Sequence, residues 1–176
     1  KLMMILKVHS LCMGYSGVRK EIINRICWHI NNDIIPAVPS KGSVGASGDL
    51  APLAHLFLPL IGEGEVYCKG EKLSSSKVLA LNEKLPLKIK EKEGLALING
   101  TQFISAFACY AIDRFRNCLE NSNIISALSI DSTMSSIVPF SEDLIKLRAY
   151  KGSSIVSKKI RDLLEGSKIL ESHQDC

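Results

Sequence analysis

Apolar residues recur at intervals of three and four along most of the chain, a spacing typical of amphipathic helices. The first such pattern covers Leu2–Cys12 and is expected to end near Gly14. The second covers Val18–Ile30 and is followed by the polar residues 31–33, which favour a helix end. Two helices are therefore predicted before the first glycine-rich stretch.

The middle of the chain predicts a third helix and a small hairpin. An apolar run follows Asp49, a residue that favours a helix start, and Pro52 suits a first helical turn. Because residues 49–61 are apolar on nearly all sides, we expect this helix to be buried on every side. A short segment, Glu65–Cys68, precedes Lys69 and Gly70 and predicts a β-hairpin.

Further helices are predicted towards the end of the chain. Residues 76–83 predict a short helix capped by one of three serines, and residues 84–93 predict a solvated, charged connector. The longest helical pattern covers Leu95–Leu119. Two more helices are expected at Asn123–Met134 and Ser153–Leu164, with loops around them that include Gly152.

Composition excludes several classes of protein. Hydrophobic residues make up 46% of the chain, which is typical of a folded domain with a core. The net charge of +4 has no dense basic block, so neither nucleic acid nor a membrane surface is an expected partner. The six cysteines form no Cys-x-x-Cys pair, and we expect reduced thiols in a cytoplasmic protein. His9 and His29 have no Cys, Asp or Glu at metal-ligand spacing around them, so no metal site is expected.

Residues 39–53 form the most distinctive stretch, in which Gly42, Gly45 and Gly48 recur every third residue. Glycine adopts backbone conformations that other residues avoid, so the stretch predicts a loop with close approach or unusual geometry. A phosphate-binding loop would end in Gly-Lys-Ser/Thr, which is missing here. On spacing alone, a plain structural loop is favoured over phosphate binding.

The tripeptide Ala46-Ser47-Gly48 allows a third interpretation. In a sharply bent backbone, the nitrogen of Gly48 can attack the carbonyl carbon of Ala46 and close a five-membered ring with loss of water. Ser47 can then lose its hydroxyl as a second water, which leaves an electrophilic methylidene. The tripeptide by itself is common, so the neighbouring residues must carry the interpretation.

Those neighbours resemble the signature of the aromatic amino acid ammonia-lyases. The block Gly42–His55 is most similar to the histidine-specific members, and the blocks Gly14–Arg19 and Lys92–Thr101 match in order and spacing. The resemblance covers essentially the whole chain. It implies a mainly α fold in which residues 1–176 form the central helical-bundle segment of one larger domain, with a small β-hairpin insertion.

The resemblance also implies an activity, the elimination of ammonia from L-histidine to give urocanate. The prosthetic group would be 4-methylidene-imidazol-5-one (MIO), formed from Ala46, Ser47 and Gly48 with help from Asp49, and no metal or diffusible cofactor is implied. Ser47 would supply the methylidene carbon. Asn99 would face the electrophile and orient the substrate.

Other features of the family affect what this chain could do alone. His55 and Tyr15 are weaker candidates for supporting roles. The family's catalytic base is a tyrosine from an N-terminal segment that has no counterpart here, and family members are homotetramers with shared sites. Since the chain begins at Lys1 inside a helical pattern and is far shorter than family members, we expect an internal piece or a truncated product without activity of its own.

Two alternatives stay open at this point. The first is a phenylalanine or tyrosine ammonia-lyase, or an aminomutase, with the same prosthetic group. Residues 43–45 before the triad, with Ala51, Ala54 and His55 after it, favour histidine or some bacterial tyrosine enzymes over the plant phenylalanine type. The second is a non-enzymatic helical remnant.

Overall fold

The computed structural model describes residues 1–41, 48–148 and 150–172, and these fold mainly as α-helix. The mainly α fold is therefore confirmed. The chain divides into two compact units, Lys1–Tyr110 and Ala111–Cys176. That residues 1–176 form part of one larger domain stays a prediction. Among the described residues, no helix has the length and apolarity that crossing a membrane requires.

Two helices form at the start of the first unit, as predicted: α1 (Leu2–Cys12) and α2 (Lys20–Asn31). They pack against each other. Each buries one face, because its apolar residues recur every three or four positions. They belong to a core whose buried members are Met4, Leu11, Ile22, Ile26, Leu53, Leu56, Phe57, Leu60, Leu87 and Leu97.

Helix α3 (Leu50–Phe57) continues into one 3₁₀ turn, Leu58–Ile61, so the third predicted helix is confirmed. Its inner face contributes Leu53 and Leu56 to the core. The expectation of burial on every side is wrong for this chain, since Ala51 and His55 are exposed. The helix is apolar on nearly all sides, but one side of it has no covering element within residues 1–41, 48–148 and 150–172.

A three-stranded antiparallel sheet contains the predicted hairpin. Strands β2 (Glu65–Cys68) and β3 (Glu71–Ser74) pair directly, and β1 (Ile35–Pro36) adds to the other side of β2. Strand β1 was not predicted, because two residues that include a proline give no strand pattern. The sheet buries Val66 completely.

Helix α4 (Ser75–Leu81) follows the sheet, and the Ser74 side chain accepts a hydrogen bond from the Lys77 N–H at 3.4 Å. One of the three serines is therefore the cap, as predicted. The next helix, α5 (Glu93–Ile98), begins inside the segment expected to be a solvated connector. That expectation is wrong at its end, since Glu93 is only 2% exposed.

The longest predicted helix is interrupted. Helix α5 ends at Ile98, and α6 (Gln102–Ser132) begins after three non-helical residues, 99–101. The break coincides with Gly100, whose φ of +145° is incompatible with a helix. The predicted separate helix Asn123–Met134 is the second half of α6.

The second unit consists of most of α6 and three further helices, α7 (Glu142–Lys146), α8 (Lys151–Leu164) and α9 (Lys168–Glu171), with a 3₁₀ turn at Val138–Phe140. The helix predicted at Ser153–Leu164 is confirmed. Gly152 was expected in a loop. It lies instead in the first turn of α8, where a glycine is tolerated. The small core here consists of Ala127, Ile160 and Leu164.

Candidate functional site

Of the glycine-rich block Gly42–His55, the structure describes the residues from Gly48 onwards. Ala46 and Ser47 lie outside the described residues, so the structure does not test the part of the MIO prediction that concerns them. Gly48 and Asp49 immediately follow, and their contacts define where the block meets the rest of the first unit.

Gly48 forms an isolated parallel β-bridge with Gly100. Its φ is +94°, and a Cβ atom placed on it would lie 2.5 Å from the carbonyl oxygen of Gly100. The next residue reinforces the contact, because the N–H of Asp49 donates to the same carbonyl oxygen at 2.9 Å. Both the backbone conformation and the close approach therefore require glycine at position 48.

Asp49 is fully buried, and its carboxylate binds the start of α6. Oδ2 accepts hydrogen bonds from the N–H groups of Phe103 at 2.8 Å and Ile104 at 3.1 Å. The first N–H groups of a helix have no partner within the helix, and a carboxylate there is also favoured by the helix dipole. Asp49 stands at the N-cap position of α3, as the sequence predicts, but makes no side-chain cap bond to α3. It caps α6 instead.

The other carboxylate oxygen, Oδ1 of Asp49, is buried and has no hydrogen-bond partner among the described residues. Buried carboxylate oxygens normally accept hydrogen bonds. Among the described residues, this acceptor directly after the Ala46-Ser47-Gly48 tripeptide is therefore left without a donor.

Asn99 lies beside this contact, in the break between α5 and α6. It is exposed and extended, with φ −85° and ψ 127°, and its N–H donates to the carbonyl oxygen of Leu95 at 3.0 Å. Its neighbour Gly100 forms the β-bridge with Gly48 and accepts the hydrogen bond from the Asp49 N–H. The structure thus brings together three of the predicted site residues, Gly48, Asp49 and Asn99.

Sequence reasoning missed Lys7, which binds the main chain of Asn99. The Lys7 side chain is buried in α1, and its Nζ donates to the carbonyl oxygen of Asn99 at 2.6 Å. Burial lowers the pKa of Lys7 to about 8. The available signal was the spacing of Met4, Lys7 and Leu11, which places a lysine on the buried face of α1.

A second missed pair joins two of the motif blocks. The Glu93 carboxylate, at the start of α5, accepts hydrogen bonds from Nε and Nη2 of Arg19 at 2.8 and 2.9 Å. It also accepts from the N–H groups of Arg19 and Lys90, at 3.1 and 2.8 Å. Hydrogen bonding by Arg19 lowers the pKa of Glu93 to about 2. The pair holds the start of α2 against the start of α5.

The two weaker candidates are both exposed. His55 lies on the uncovered face of α3, and Tyr15 is 87% exposed between α1 and α2. Neither side chain forms a hydrogen bond with any described residue. The geometry brings neither of them into the contact between Gly48, Asp49 and Asn99.

Comparison with known proteins identifies the family. The family model "Aromatic amino acid lyase" matches residues 1–176. The chain is 45% identical over 175 residues to a histidine ammonia-lyase of Legionella pneumophila (strain Corby), covering 99% of this chain and 35% of the relative. It is 44% identical over 176 residues to that of Pseudoalteromonas atlantica, covering 100% of this chain and again 35% of the relative. The chain therefore spans about a third of the length of these curated relatives.

Solved structures agree with the fold. The histidine ammonia-lyase of Trypanosoma cruzi matches with a TM-score of 0.84 and 34% identity over 90% of this chain and 31% of that one. A tyrosine aminomutase from Streptomyces globisporus matches with a TM-score of 0.88 and 34% identity over 94% of this chain and 31% of that one. A yeast phenylalanine ammonia-lyase matches with a TM-score of 0.91 and 29% identity over 98% of this chain and 28% of that one. By sequence and by fold, the chain belongs to the aromatic amino acid lyase family.

Proposed function

We propose that this chain is part of a histidine ammonia-lyase, which eliminates ammonia from L-histidine to give urocanate. The curated relatives that are 42–45% identical over essentially the whole chain are histidine ammonia-lyases. Because the chain spans only about a third of their length, the proposal concerns the full-length lyase expected to contain it.

The observation that carries the proposal is the contact between two motif blocks that are distant in sequence. Gly48 ends the tripeptide Ala46-Ser47-Gly48 and Asp49 follows it, and both contact the backbone of Gly100 directly after Asn99. A group formed at the tripeptide would therefore lie near an exposed amide side chain. This is the arrangement that a prosthetic electrophile and a substrate-orienting donor require.

The described residues fit a methylidene-imidazolone at this position. Ring closure needs an unhindered nitrogen, and Gly48 has no Cβ and a positive φ that only glycine adopts readily. Oδ1 of Asp49, which has no partner among the described residues, would accept a hydrogen bond from the bent backbone or from a departing water while the ring forms. When formed, the group would supply an electrophile that no ordinary side chain provides.

The chain's own residues have distinct roles in this proposal. The amide of Asn99 donates a hydrogen bond that orients the substrate, which is an electrostatic contribution. Asp49, directly after the tripeptide, binds the start of α6. In the reaction, a proton leaves the β-carbon, the bond between the α-carbon and nitrogen breaks, and a carbon–carbon double bond forms as ammonia departs. The base that takes the proton comes from outside this chain, so we expect the chain alone to be inactive.

A tyrosine-specific enzyme is the second candidate, because two tyrosine aminomutase structures match with TM-scores of 0.88 and 0.89 at 33–34% identity. The higher identity to histidine ammonia-lyases favours histidine. Incubation of the full-length lyase with L-histidine, L-tyrosine and L-phenylalanine decides between them. An aminomutase would convert its substrate to a β-amino acid without a stoichiometric release of ammonia.

We also propose that the full-length lyase is a cytoplasmic homotetramer. Apolar side chains on α6 are exposed in this chain, among them Phe107 (52%) and Phe115 (68%). Apolar surface of this kind favours burial in an assembly. The cytoplasmic location is supported by six cysteines without a disulfide spacing pattern.

Replacement of Ser47 by alanine tests the proposal in the full-length lyase. Ser47→Ala keeps the size of the loop but removes the atom that would become the methylidene carbon. Urocanate formation should fall by a factor on the order of 10³ or more, as expected when a covalent catalyst is lost. Ser40→Ala is the matched control, since Ser40 is exposed just before the same loop. Near-normal activity of a folded Ser47→Ala protein would refute the mechanism.

Mass spectrometry gives a second readout that separates the enzyme from a non-enzymatic remnant. The wild-type peptide that contains Ala46, Ser47 and Gly48 should lack the mass of two water molecules. An unmodified peptide in the full-length protein would favour a remnant. The same measurement on the 176-residue chain shows whether the chain alone forms the group.

A further inference from the structure

Lys7 is a lysine in an apolar environment with its ammonium directed at one carbonyl group. The residue is 2% exposed, and Met4 and Leu11 on the same face of α1 belong to the apolar core. Within the described part of the chain, its only hydrogen bond is the one to the carbonyl oxygen of Asn99, at 2.6 Å. Burying an ammonium is costly unless it is well bonded, so packing alone does not account for a lysine here.

The bond to Lys7 completes the restraints on the backbone of Asn99. The N–H of Asn99 donates to the carbonyl oxygen of Leu95, which fixes the peptide plane before its α-carbon. The bond from Lys7 fixes the peptide plane after it, because a trans peptide unit is rigid and planar. With both planes held, the direction in which the Asn99 side chain leaves the backbone is set.

The same peptide plane leads into the contact with the glycine-rich block. Gly100 shares this plane through its nitrogen, and its own carbonyl oxygen accepts the N–H of Asp49. The carbonyl of Asn99 follows the end of α5, where carbonyl groups lack partners within the helix. The side chain of Lys7 thus reaches from α1 to the point where the Asn99 and Gly48 segments meet.

We propose that Lys7 is a positioning residue, whose buried ammonium holds the Asn99–Gly100 peptide so that the Asn99 amide points at the substrate. As far as it concerns catalysis, this role rests on the proposed function. The lowered pKa of about 8 is consistent with an ammonium that is buried yet mostly charged near neutral pH.

The first test replaces Lys7 in the full-length lyase. Lys7→Met keeps the length and apolar stem of the side chain but removes the donor, and kcat should fall on the order of 10- to 100-fold, as for a misplaced catalytic group. Lys7→Arg keeps a charged donor on a larger head group and should lose less kcat than Lys7→Met. Lys20→Met is the matched control, since Lys20 is exposed at the start of α2, and it should leave kcat unchanged. Equal kcat values for Lys7→Met and the wild type would overturn the proposal.

A double-mutant cycle tests whether Lys7 acts through Asn99. If it does, Lys7→Met should have little further effect on kcat in an Asn99→Ala background. A loss of the same size in both backgrounds would mean that Lys7 acts elsewhere, and the proposal would fail. Should Lys7→Met not fold, Lys7→Gln carries the same comparison, because its uncharged and shorter side chain removes the ammonium donor from the Asn99 carbonyl.

Hydrogen exchange gives a readout that does not depend on activity. In Lys7→Met, exchange in the peptide covering residues 95–101 should accelerate by about tenfold, while exchange in α2 stays unchanged. Acceleration spread evenly over the first unit would indicate a general structural role and would refute positioning. This result stands even if the lyase proves not to act on histidine, whereas failure of the Ser47→Ala test would concern only the proposed function.

Discussion

Replacement of Glu93 by glutamine tests how the motif blocks are held together. Glutamine has the same shape but no charge, and its amide NH₂ would face the N–H donors that now bind a carboxylate oxygen. The carboxylate accepts hydrogen bonds from Arg19 Nε, Arg19 Nη2, the Arg19 N–H and the Lys90 N–H. No rotation of the glutamine amide satisfies all four donors.

The expected loss follows from the burial of the pair. The Glu93 side chain is 3% exposed and that of Arg19 is 32% exposed. Breaking a fully buried ion pair costs about 3–5 kcal/mol, and the partial exposure of Arg19 reduces this to about 2–4 kcal/mol. The matched control is Glu21→Gln, because Glu21 also pairs with Arg19 but is 57% exposed. That surface pair should be worth at most about 1 kcal/mol.

The assay is urea unfolding of the chain followed by circular dichroism. The free energy of unfolding is extrapolated to water for the wild type, Glu93→Gln and Glu21→Gln. At pH 7, Glu93→Gln should lose several times more stability than Glu21→Gln. Equal losses for the two variants would refute the reasoning, because Glu93 is more buried than Glu21 and accepts more hydrogen bonds.

The difference in stability between the wild type and Glu93→Gln should depend on pH. The pKa of Glu93 is about 2 in the folded chain against a reference value of 4.5, so the folded state favours the charged form. The stabilisation by Glu93 should be fully present above pH 4.5 and should be lost as the pH falls from 4.5 towards 2. The difference between the wild type and Glu93→Gln should shrink over this range. A difference that stays constant down to pH 2 would contradict the assigned cause.

Two further predictions concern close packing and assembly. Gly48→Ala should lower the free energy of unfolding by about 2–4 kcal/mol, because the new Cβ would clash with Gly100 in addition to the strain of a positive φ. The control is Gly70→Ala, which should cost only about 1 kcal/mol, because Gly70 has a positive φ but open space around it. Equal costs for the two variants would contradict the close approach of Gly48 to Gly100. The chain should self-associate in light scattering, and Phe115→Asp should reduce this more than the control Asn117→Asp on the same helix. A monodisperse wild-type monomer would rule out the second prediction.

Local pattern was enough to predict most helices of this fold. Helices α1, α2 and α8 each carry apolar residues at a spacing of three and four, and each begins and ends within a few residues of its predicted bounds. The hairpin was also predicted, because Lys69 and Gly70 mark its turn. These elements are determined by residues that are close together in sequence.

The break between α5 and α6 could not be predicted from local pattern. Residues 95–119 are continuously compatible with a helix, and a single glycine at position 100 is tolerated within one. The interruption accompanies contacts with Gly48 and Asp49, which are distant in sequence. The side chain of Asp49 was expected to cap its own helix for the same reason, since sequence cannot show that the start of α6 lies beside it.

Only some residues of the candidate site were predicted from the sequence. Gly48, Asp49 and Asn99 came from resemblance to a family, and the structure brings Gly48 and Asp49 against Gly100, the neighbour of Asn99. The spacing of Met4, Lys7 and Leu11 indicates a lysine on the buried face of α1, but it does not identify the partner of Lys7, which is a main-chain carbonyl. A sequence shows which side chains are present, but it does not show which backbone groups are left without partners by a helix end.

One ion pair and one backbone bridge connect the three motif blocks in this chain. Arg19 and Glu93 join the first block to the start of α5, and the bridge from Gly48 to Gly100 joins the second block to the end of the same helix. Helix α5 is only six residues long, so a shift at one end is transmitted to the other. Disruption of the Arg19–Glu93 pair should therefore displace Asn99 as well as lower stability. In the full-length lyase, Glu93→Gln should lower kcat even at temperatures where the protein remains folded, and unchanged kcat would show that the two ends of α5 are independent.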